Sequence, residues 1–182
     1  MNYASIRTCD IANGEGVRVS LFVSGCTHKC RGCFNEEAQS FSYGRRFTTS
    51  TEDMLLKALE PSYIAGLTLL GGEPMEPDNQ RGLVGFLRRF RERWPVGGPK
   101  TLWIYTGCIY ELDLKPTSGQ ALAAGANTPH KRWRTEVTDE ILSMTDVLVD
   151  GPFVEELKDI SLRFRGSSNQ RILRMVNGIP VE

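Results

Sequence analysis

The sequence predicts an α/β fold in which parallel strands alternate with helices and form a partial, open parallel β/α barrel. Three observations carry this expectation. Short apolar runs at 17–23, 67–70, 101–105 and 146–149 have the length of strands, and helix-patterned stretches at 50–59, 79–94 and 137–144 lie between them. The 182 residues suffice for one domain spanning 1–182 with a sizeable core. They are too few for a complete eight-unit barrel, which takes about 250. Finally, the distinctive residues follow the strands, and in parallel α/β proteins the working site forms at the carboxyl ends of strands.

Composition excludes several classes of function. Lys plus Arg number 22 and Asp plus Glu number 22, so the formal net charge is zero. That balance offers no surface for nucleic acid or another polyanion. Residues 1–7 lack the apolar core of a signal peptide, and no later run reaches membrane-spanning length, which predicts a cytoplasmic protein with no membrane partner. Of the five cysteines, three are clustered, a pattern that in such a chain marks metal ligands more often than disulfides.

Taken in order, Asp10-Ile11-Ala12-Asn13-Gly14-Glu15-Gly16-Val17-Arg18 reads as an Asn-Gly turn leading into the first strand. That strand ends in Ser24-Gly25-Cys26-Thr27-His28-Lys29-Cys30-Arg31-Gly32-Cys33-Phe34-Asn35. Cys26, Cys30 and Cys33 are spaced C-x-x-x-C-x-x-C, and three soft thiolates in one loop suit iron or zinc. A structural zinc site closes itself with four protein ligands, often as two separated pairs, and no second pair exists here. A 4Fe-4S cluster normally takes one thiolate per iron, so three cysteines leave one iron open to a small molecule. The spacing favours the cluster over zinc, while closure by Cys9, Cys108 or His28 stays open.

Ser50-Thr51-Glu52-Asp53 starts a helix, Met54, Leu55, Ala58 and Leu59 give it an apolar face, and Pro61 stops it. The strand at 67–70 delivers Gly71-Gly72-Glu73-Pro74. By residue type this is a strand-to-helix turn. Its glycines also let a ligand approach the backbone, and its carboxylate and carbonyl groups accept hydrogen bonds from an ammonium group. Residues 79–94 form an amphipathic helix with Leu83, Leu87, Phe90 and Trp94 on one face, and Arg81, Arg88, Arg89, Arg91 and Arg93 make a solvated remainder. The third strand finishes in Thr106-Gly107-Cys108 and the fourth in Asp150-Gly151-Pro152-Phe153, where an acidic residue is commonly a turn or cap. Between them, residues 112–134 form an irregular insertion ending in a basic patch, His130-Lys131-Arg132-Trp133-Arg134. Residues 162–171 read as a polar turn before a last strand at 172–176.

The cysteine spacing after one strand and Gly71-Gly72-Glu73-Pro74 after the next resemble the radical S-adenosylmethionine (radical SAM) superfamily. The resemblance implies a partial β/α barrel of radical SAM type. It also implies that S-adenosylmethionine binds the open iron of a 4Fe-4S cluster and is cleaved to methionine and a 5′-deoxyadenosyl radical. Cys26, Cys30 and Cys33 would hold the cluster. Gly32, Cys33, Phe34, Gly72 and Glu73 would line the S-adenosylmethionine site, with Thr106 and Asp150 on the rim facing the adenosine or a nearby cation.

The lead-in at 10–18 is similar to the D-x-x-x-G-x-G-x-R of glycyl-radical-enzyme activases. Phe164-Arg165-Gly166-Ser167-Ser168-Asn169-Gln170-Arg171, together with Val147-Leu148-Val149-Asp150-Gly151, narrows the resemblance to activases of anaerobic ribonucleoside-triphosphate reductase. That reductase is the implied protein partner, carrying the glycine to be converted to a radical. The implied electron source is a reductant such as flavodoxin or ferredoxin. Two departures stand out: Cys108, where an aromatic residue is usual, and the long segment before Arg134. Two alternatives remain at this point, an activase of the pyruvate formate-lyase type or another radical enzyme, and a non-catalytic zinc-binding or electron-carrier module.

Overall fold

The computed structural model describes residues 1–115 and 132–181, so most of the predicted insertion, 116–131, lies outside the described residues. The described residues build one eight-stranded sheet. Its strands are β1 (Asn2–Asp10), β2 (Val17–Val23), β3 (Arg45–Arg46), β4 (Ile64–Gly71), β5 (Thr101–Tyr105), β6 (Val147–Asp150), β7 (Arg171–Val176) and β8 (Ile179–Val181). The spatial order is β3-β1-β2-β4-β5-β6-β7-β8. The four central strands, β2, β4, β5 and β6, are parallel as predicted. Antiparallel strands extend both sides of them, so the sheet is mixed. It is not closed: β3 and β8 remain its two edges.

β1 was not expected as a strand. It is mostly half-buried or exposed along its length, so no apolar run announces it, and its pairing with β2 supplies the order instead. β4 begins at Ile64, three residues before the apolar run, where Gly66 pairs with both Arg18 and Thr101.

Among the described residues, three α-helices cover one face. α1 (Thr49–Ala58) is capped by Thr48, whose hydroxyl accepts from Thr51 N over 3.4 Å. α2 (Pro77–Arg93) starts earlier than the apolar pattern suggested, because Pro77 sits in its first turn where no N–H is needed. α3 (Thr138–Met144) follows the segment outside the description. Leu55, Leu56, Leu83, Phe86, Leu87 and Phe90 pack on Val19, Leu21, Leu67, Leu69, Ile104 and Leu148. The arginine face of α2 is ion-paired to its neighbours, with Arg89 on Glu52 and Asp53, Arg88 on Glu140 and Arg81 on Glu136. No described helix is long and apolar enough to cross a membrane.

Side chains alternate along strands, so the residues between those core positions point to the other face. There Trp103, Val147 and Val149 form a smaller cluster with Tyr105 and Phe164. Arg18 is 0% exposed and packs its guanidinium over Trp103 at 5.3 Å. Its Nε donates to Thr68 Oγ1 over 2.7 Å, and Nη2 donates to the carbonyls of Leu67 and Thr101 over 2.8 and 2.9 Å. Burial lowers its pKa to about 10.

The lead-in motif thereby acquires a physical reason. Asp10 accepts from Ala12 N and Asn13 Nδ2, and the Asn13 carbonyl accepts from Thr68 Oγ1. Gly14 has φ +124°, and a Cβ on it would lie 2.8 Å from Arg18 Cδ and 3.0 Å from Trp103. The turn therefore lies over the arginine and brings Ala12 and Asn13 to a cleft on this face.

Candidate functional site

The cleft has a volume of about 500 Å³ and opens at the carboxyl ends of the parallel strands. Cys26, Cys30 and Cys33 line it together with Gly32, Phe34, Gly72, Glu73 and Thr106. Two loops make its heart. The cysteine loop leaves β2 at Val23, and the Gly-Gly-Glu turn leaves β4 at Gly71, its hydrogen-bonded neighbour.

Backbone hydrogen bonds join the two loops. Gly72 N donates to Val23 O and Glu73 N donates to Gly25 O, each over 2.8 Å. A Cβ on Gly72 would stand 2.6 Å from Gly25 O and 2.8 Å from Ala38 O, so only glycine permits this approach. Asn79, from the first turn of α2, adds a tie that sequence reasoning missed. Its buried Nδ2 donates to Ser24 O over 3.0 Å and to Glu73 O over 2.8 Å. Glu76 was also missed, and its Oε1 accepts from Thr27 N over 2.7 Å and Thr27 Oγ1 over 2.5 Å. An Asn and a Glu at a helix start read as ordinary capping chemistry, so nothing in the sequence set them apart.

The cysteine loop is shaped to present sulfur. Lys29 and Gly32 take positive φ values of 52° and 69°, and Cys33 N donates to Cys30 O over 3.3 Å. Burial first, then the charge of Glu73, pushes the Cys26 thiol up to about 12, and burial also raises Cys30. The metal-free Cys26 and Cys30 thiols are thus neutral near pH 7, and metal binding would displace their protons. The backbone amides of His28 and Lys29 hydrogen-bond Cys26, and that of Phe153 hydrogen-bonds Cys30, both favouring thiolate. Three soft donors on one cleft, two of them with backbone amides on their sulfurs, fit an iron-sulfur cluster.

Glu73 is 1% exposed and fully engaged. Its Oε1 accepts from Met75 N over 2.8 Å, while Oε2 accepts from Gly107 N over 2.7 Å and faces His28 Nε2 at 3.0 Å. Burial opposes a charge on His28, but the hydrogen bond and charge of Glu73, with Glu76 and Asp113, outweigh it and raise the pKa. Cys108 Sγ lies 3.8 Å from the same nitrogen.

The remaining predicted residues occupy different positions. Phe34 is 83% exposed on the cleft. Thr106 lines the cleft with its hydroxyl accepting from Cys108 N over 3.0 Å. Asp150 is 0% exposed and is not among the cleft residues. Its carboxylate accepts from Tyr110 N over 2.9 Å and from Arg171 Nε and Nη2 over 2.9 and 2.5 Å. It therefore anchors the start of β7.

The polar turn at 164–171 also gains a role. Gln170 Oε1 accepts from Gly166 N and Ser167 N, and its Nε2 donates to Gly151 O over 3.1 Å. Asn169 Nδ2 donates to Pro152 O over 2.8 Å, and Ser167 Oγ accepts from Val154 N over 3.2 Å. These bonds fix the turn against the segment after β6. Phe164, Arg165, Gly166 and Gln170 thereby form one wall of the cleft.

Residues 12–173 match the family described as "4Fe-4S single cluster domain". The chain is also similar to proteins called "Anaerobic ribonucleoside-triphosphate reductase-activating protein" in several organisms. The protein from Pasteurella multocida (strain Pm70) is 41% identical over 177 residues, covering 96% of this chain and 98% of that one. The protein from Enterobacteria phage T4 is 36% identical over 179 residues, covering 98% and 97%. That of Escherichia coli (strain K12) is 37% identical over 172 residues, covering 93% and 96%. The family match spans the cysteine loop, the Gly-Gly-Glu turn and the polar wall of this chain, and the relatives are covered almost end to end, so the chain belongs to the 4Fe-4S single cluster domain family and to the family of anaerobic ribonucleoside-triphosphate reductase-activating proteins.

Proposed function

We propose that the protein is a radical SAM activase that generates a glycyl radical on anaerobic ribonucleoside-triphosphate reductase. The observation that carries this reading is the convergence of three cysteines and the Gly-Gly-Glu turn in one cleft, at the ends of adjacent parallel strands. When bound, a reduced 4Fe-4S cluster supplies the electron that cleaves S-adenosylmethionine, giving a radical able to take a hydrogen atom from a glycine Cα.

The chain's own part is to bind, orient and shield. Cys26, Cys30 and Cys33 hold the cluster. Gly32, Phe34, Gly72, Glu73 and Thr106 form the S-adenosylmethionine site, with the Gly-Gly-Glu carbonyl groups accepting from its amino group. Asp150 supports that rim from beneath through Arg171 and the Tyr110 amide. No acid-base pair is required, since a hydrogen atom rather than a proton is moved. The open side of a partial β/α barrel of radical SAM type admits a glycine-bearing protein segment, and residues 1–182 act as one domain with an insertion at 112–134. A cytoplasmic flavodoxin or ferredoxin provides the electron.

An activation assay tests the reading. The anaerobically reconstituted protein, reductant and S-adenosylmethionine are mixed with the reductase or with pyruvate formate-lyase, and the glycyl radical is read by electron paramagnetic resonance. A radical on the reductase is expected. A radical on pyruvate formate-lyase alone would contradict the assignment.

A further inference from the structure

One side chain of the cysteine loop is enclosed far more than a metal-loop residue requires. His28 stands between Cys26 and Cys30, and its ring stacks on Trp133 with centroids 4.4 Å apart and planes 12° apart. Its Nε2 is 3.0 Å from Glu73 Oε2. A Cβ on Gly107 would lie 2.8 Å from His28 Cδ2 and Nε2, so the absence of a side chain there leaves room for the imidazole. The slot is built from four places in the sequence: the cysteine loop, the end of β4, the end of β5 and the residues preceding α3.

Glu73 depends on this contact. Its carboxylate is buried, and among the described residues His28 is its only side-chain hydrogen-bond partner, the other two donors being backbone amides. A buried carboxylate that loses a hydrogen-bond donor is costly, so the turn that carries it would shift or take in water. Trp133 is itself held. Arg132 lies over its ring at 4.4 Å and also donates to Thr27 Oγ1, while Gln80 Nε2 donates to Trp133 O over 2.6 Å.

We infer that His28 is a positioning residue that fixes the Gly-Gly-Glu turn through Glu73, and that Trp133 holds the imidazole in its slot. The inference rests on the proposed use of S-adenosylmethionine at that turn. Residues leading into α3 thereby act on the cofactor site without entering the chemistry.

Two substitutions separate the parts of this device. His28→Phe keeps a stacking ring and loses the donor. His28→Gln loses the ring but carries an amide N–H at a reach similar to that of the imidazole Nε2. In the metal-free chain, amide exchange at Gly72 and Glu73 should rise about tenfold in His28→Phe and stay near wild type in His28→Gln. In the reconstituted protein at equal iron content, S-adenosylmethionine affinity should fall about ten- to a hundredfold in His28→Phe and less than about threefold in His28→Gln. Trp133→Ala should weaken binding alone and add nothing in the His28→Phe background, which a double-mutant cycle reads directly.

Unchanged exchange and unchanged affinity in His28→Phe would overturn the inference. So would stoichiometric zinc binding by the metal-free chain that Cys108→Ser abolishes, since His28, Glu73 and Cys108 have ligand atoms within 4.8 Å and would then form a metal site. If wild type itself binds no S-adenosylmethionine, the functional reading fails and takes this one with it. The exchange result then shows whether the His28–Glu73 contact orders the turn for another reason.

Discussion

The Gly72 amide reaches the Val23 carbonyl over 2.8 Å, which joins the end of one parallel strand to the turn leaving the next. The contact brings the cysteine loop and the Gly-Gly-Glu turn to one place. Because a Cβ on Gly72 would meet two carbonyl oxygens, Gly72→Ala must push the loops apart. Its expected cost is about 1–3 kcal/mol of folding stability, from overpacking against backbone that cannot yield. Denaturant unfolding of the metal-free protein measures it, and activation of the reductase should fall with it.

Cys26→Ala, Cys30→Ala and Cys33→Ala should each lose bound iron and activity, because all three sulfurs face the same cleft. Cys9 is exposed on β1 and lies outside the cleft, so Cys9→Ala should retain full iron. Iron and sulfide per chain after anaerobic reconstitution provide the check.

Asn79→Ala should remove the side chain that bridges Ser24 O and Glu73 O. Ser24 O would lose this donor, at a cost of about 1–3 kcal/mol, while Glu73 O keeps the Glu76 amide at 3.1 Å. Iron content should fall less than in a cysteine variant, since no ligand is removed. Thermal unfolding and iron analysis on the same preparation separate the two effects.

Asp150→Ala should leave the cofactor residues in place while releasing Arg171 from a buried carboxylate. Arg171 is 43% exposed and keeps Glu111, so the loss is smaller than for a fully buried pair, about 1–3 kcal/mol. Stability should drop more than S-adenosylmethionine affinity. An affinity loss without a stability loss would place Asp150 in direct contact with the ligand.

A pH prediction concerns the two chain ends that flank residues 116–131. Asp139 accepts from Lys115 Nζ over 2.9 Å and from Arg134 Nη2 over 2.7 Å. The Arg134 hydrogen bond, above all, lowers its pKa from 3.8 to about 2. A depressed carboxylate stabilises the fold above its unfolded pKa and loses that contribution as pH falls through the folded value. The tie should therefore be complete above about pH 4 and lost between there and about pH 2. Carbon NMR titration of the Asp139 carboxylate reads it, and Arg134→Gln should move the midpoint upward.

Much of the central fold was legible because its strands are short, mainly apolar runs and its helices have a clear apolar stripe. Leu67 to Leu70 and the Leu83, Leu87 and Phe90 series are such signals, and each is buried as its pattern indicates. β1 was not legible, since its side chains are mostly half-exposed and its order comes from pairing with β2. The cysteine loop and the Gly-Gly-Glu turn declared themselves by residue type. Asn79, Glu76 and the His28 slot did not, because their meaning depends on which loops meet in space. Asp150 was not legible by residue type, which fits a turn or cap as well as a rim position, and its partners Arg171 and the Tyr110 amide come from distant parts of the sequence.

The most direct test of the account is electron paramagnetic resonance of the anaerobically reconstituted, reduced protein, recorded with and without S-adenosylmethionine. A reduced 4Fe-4S signal that changes when S-adenosylmethionine is added is expected, since Cys26, Cys30 and Cys33 would leave one iron open. A colourless protein holding stoichiometric zinc and giving no such signal would contradict it.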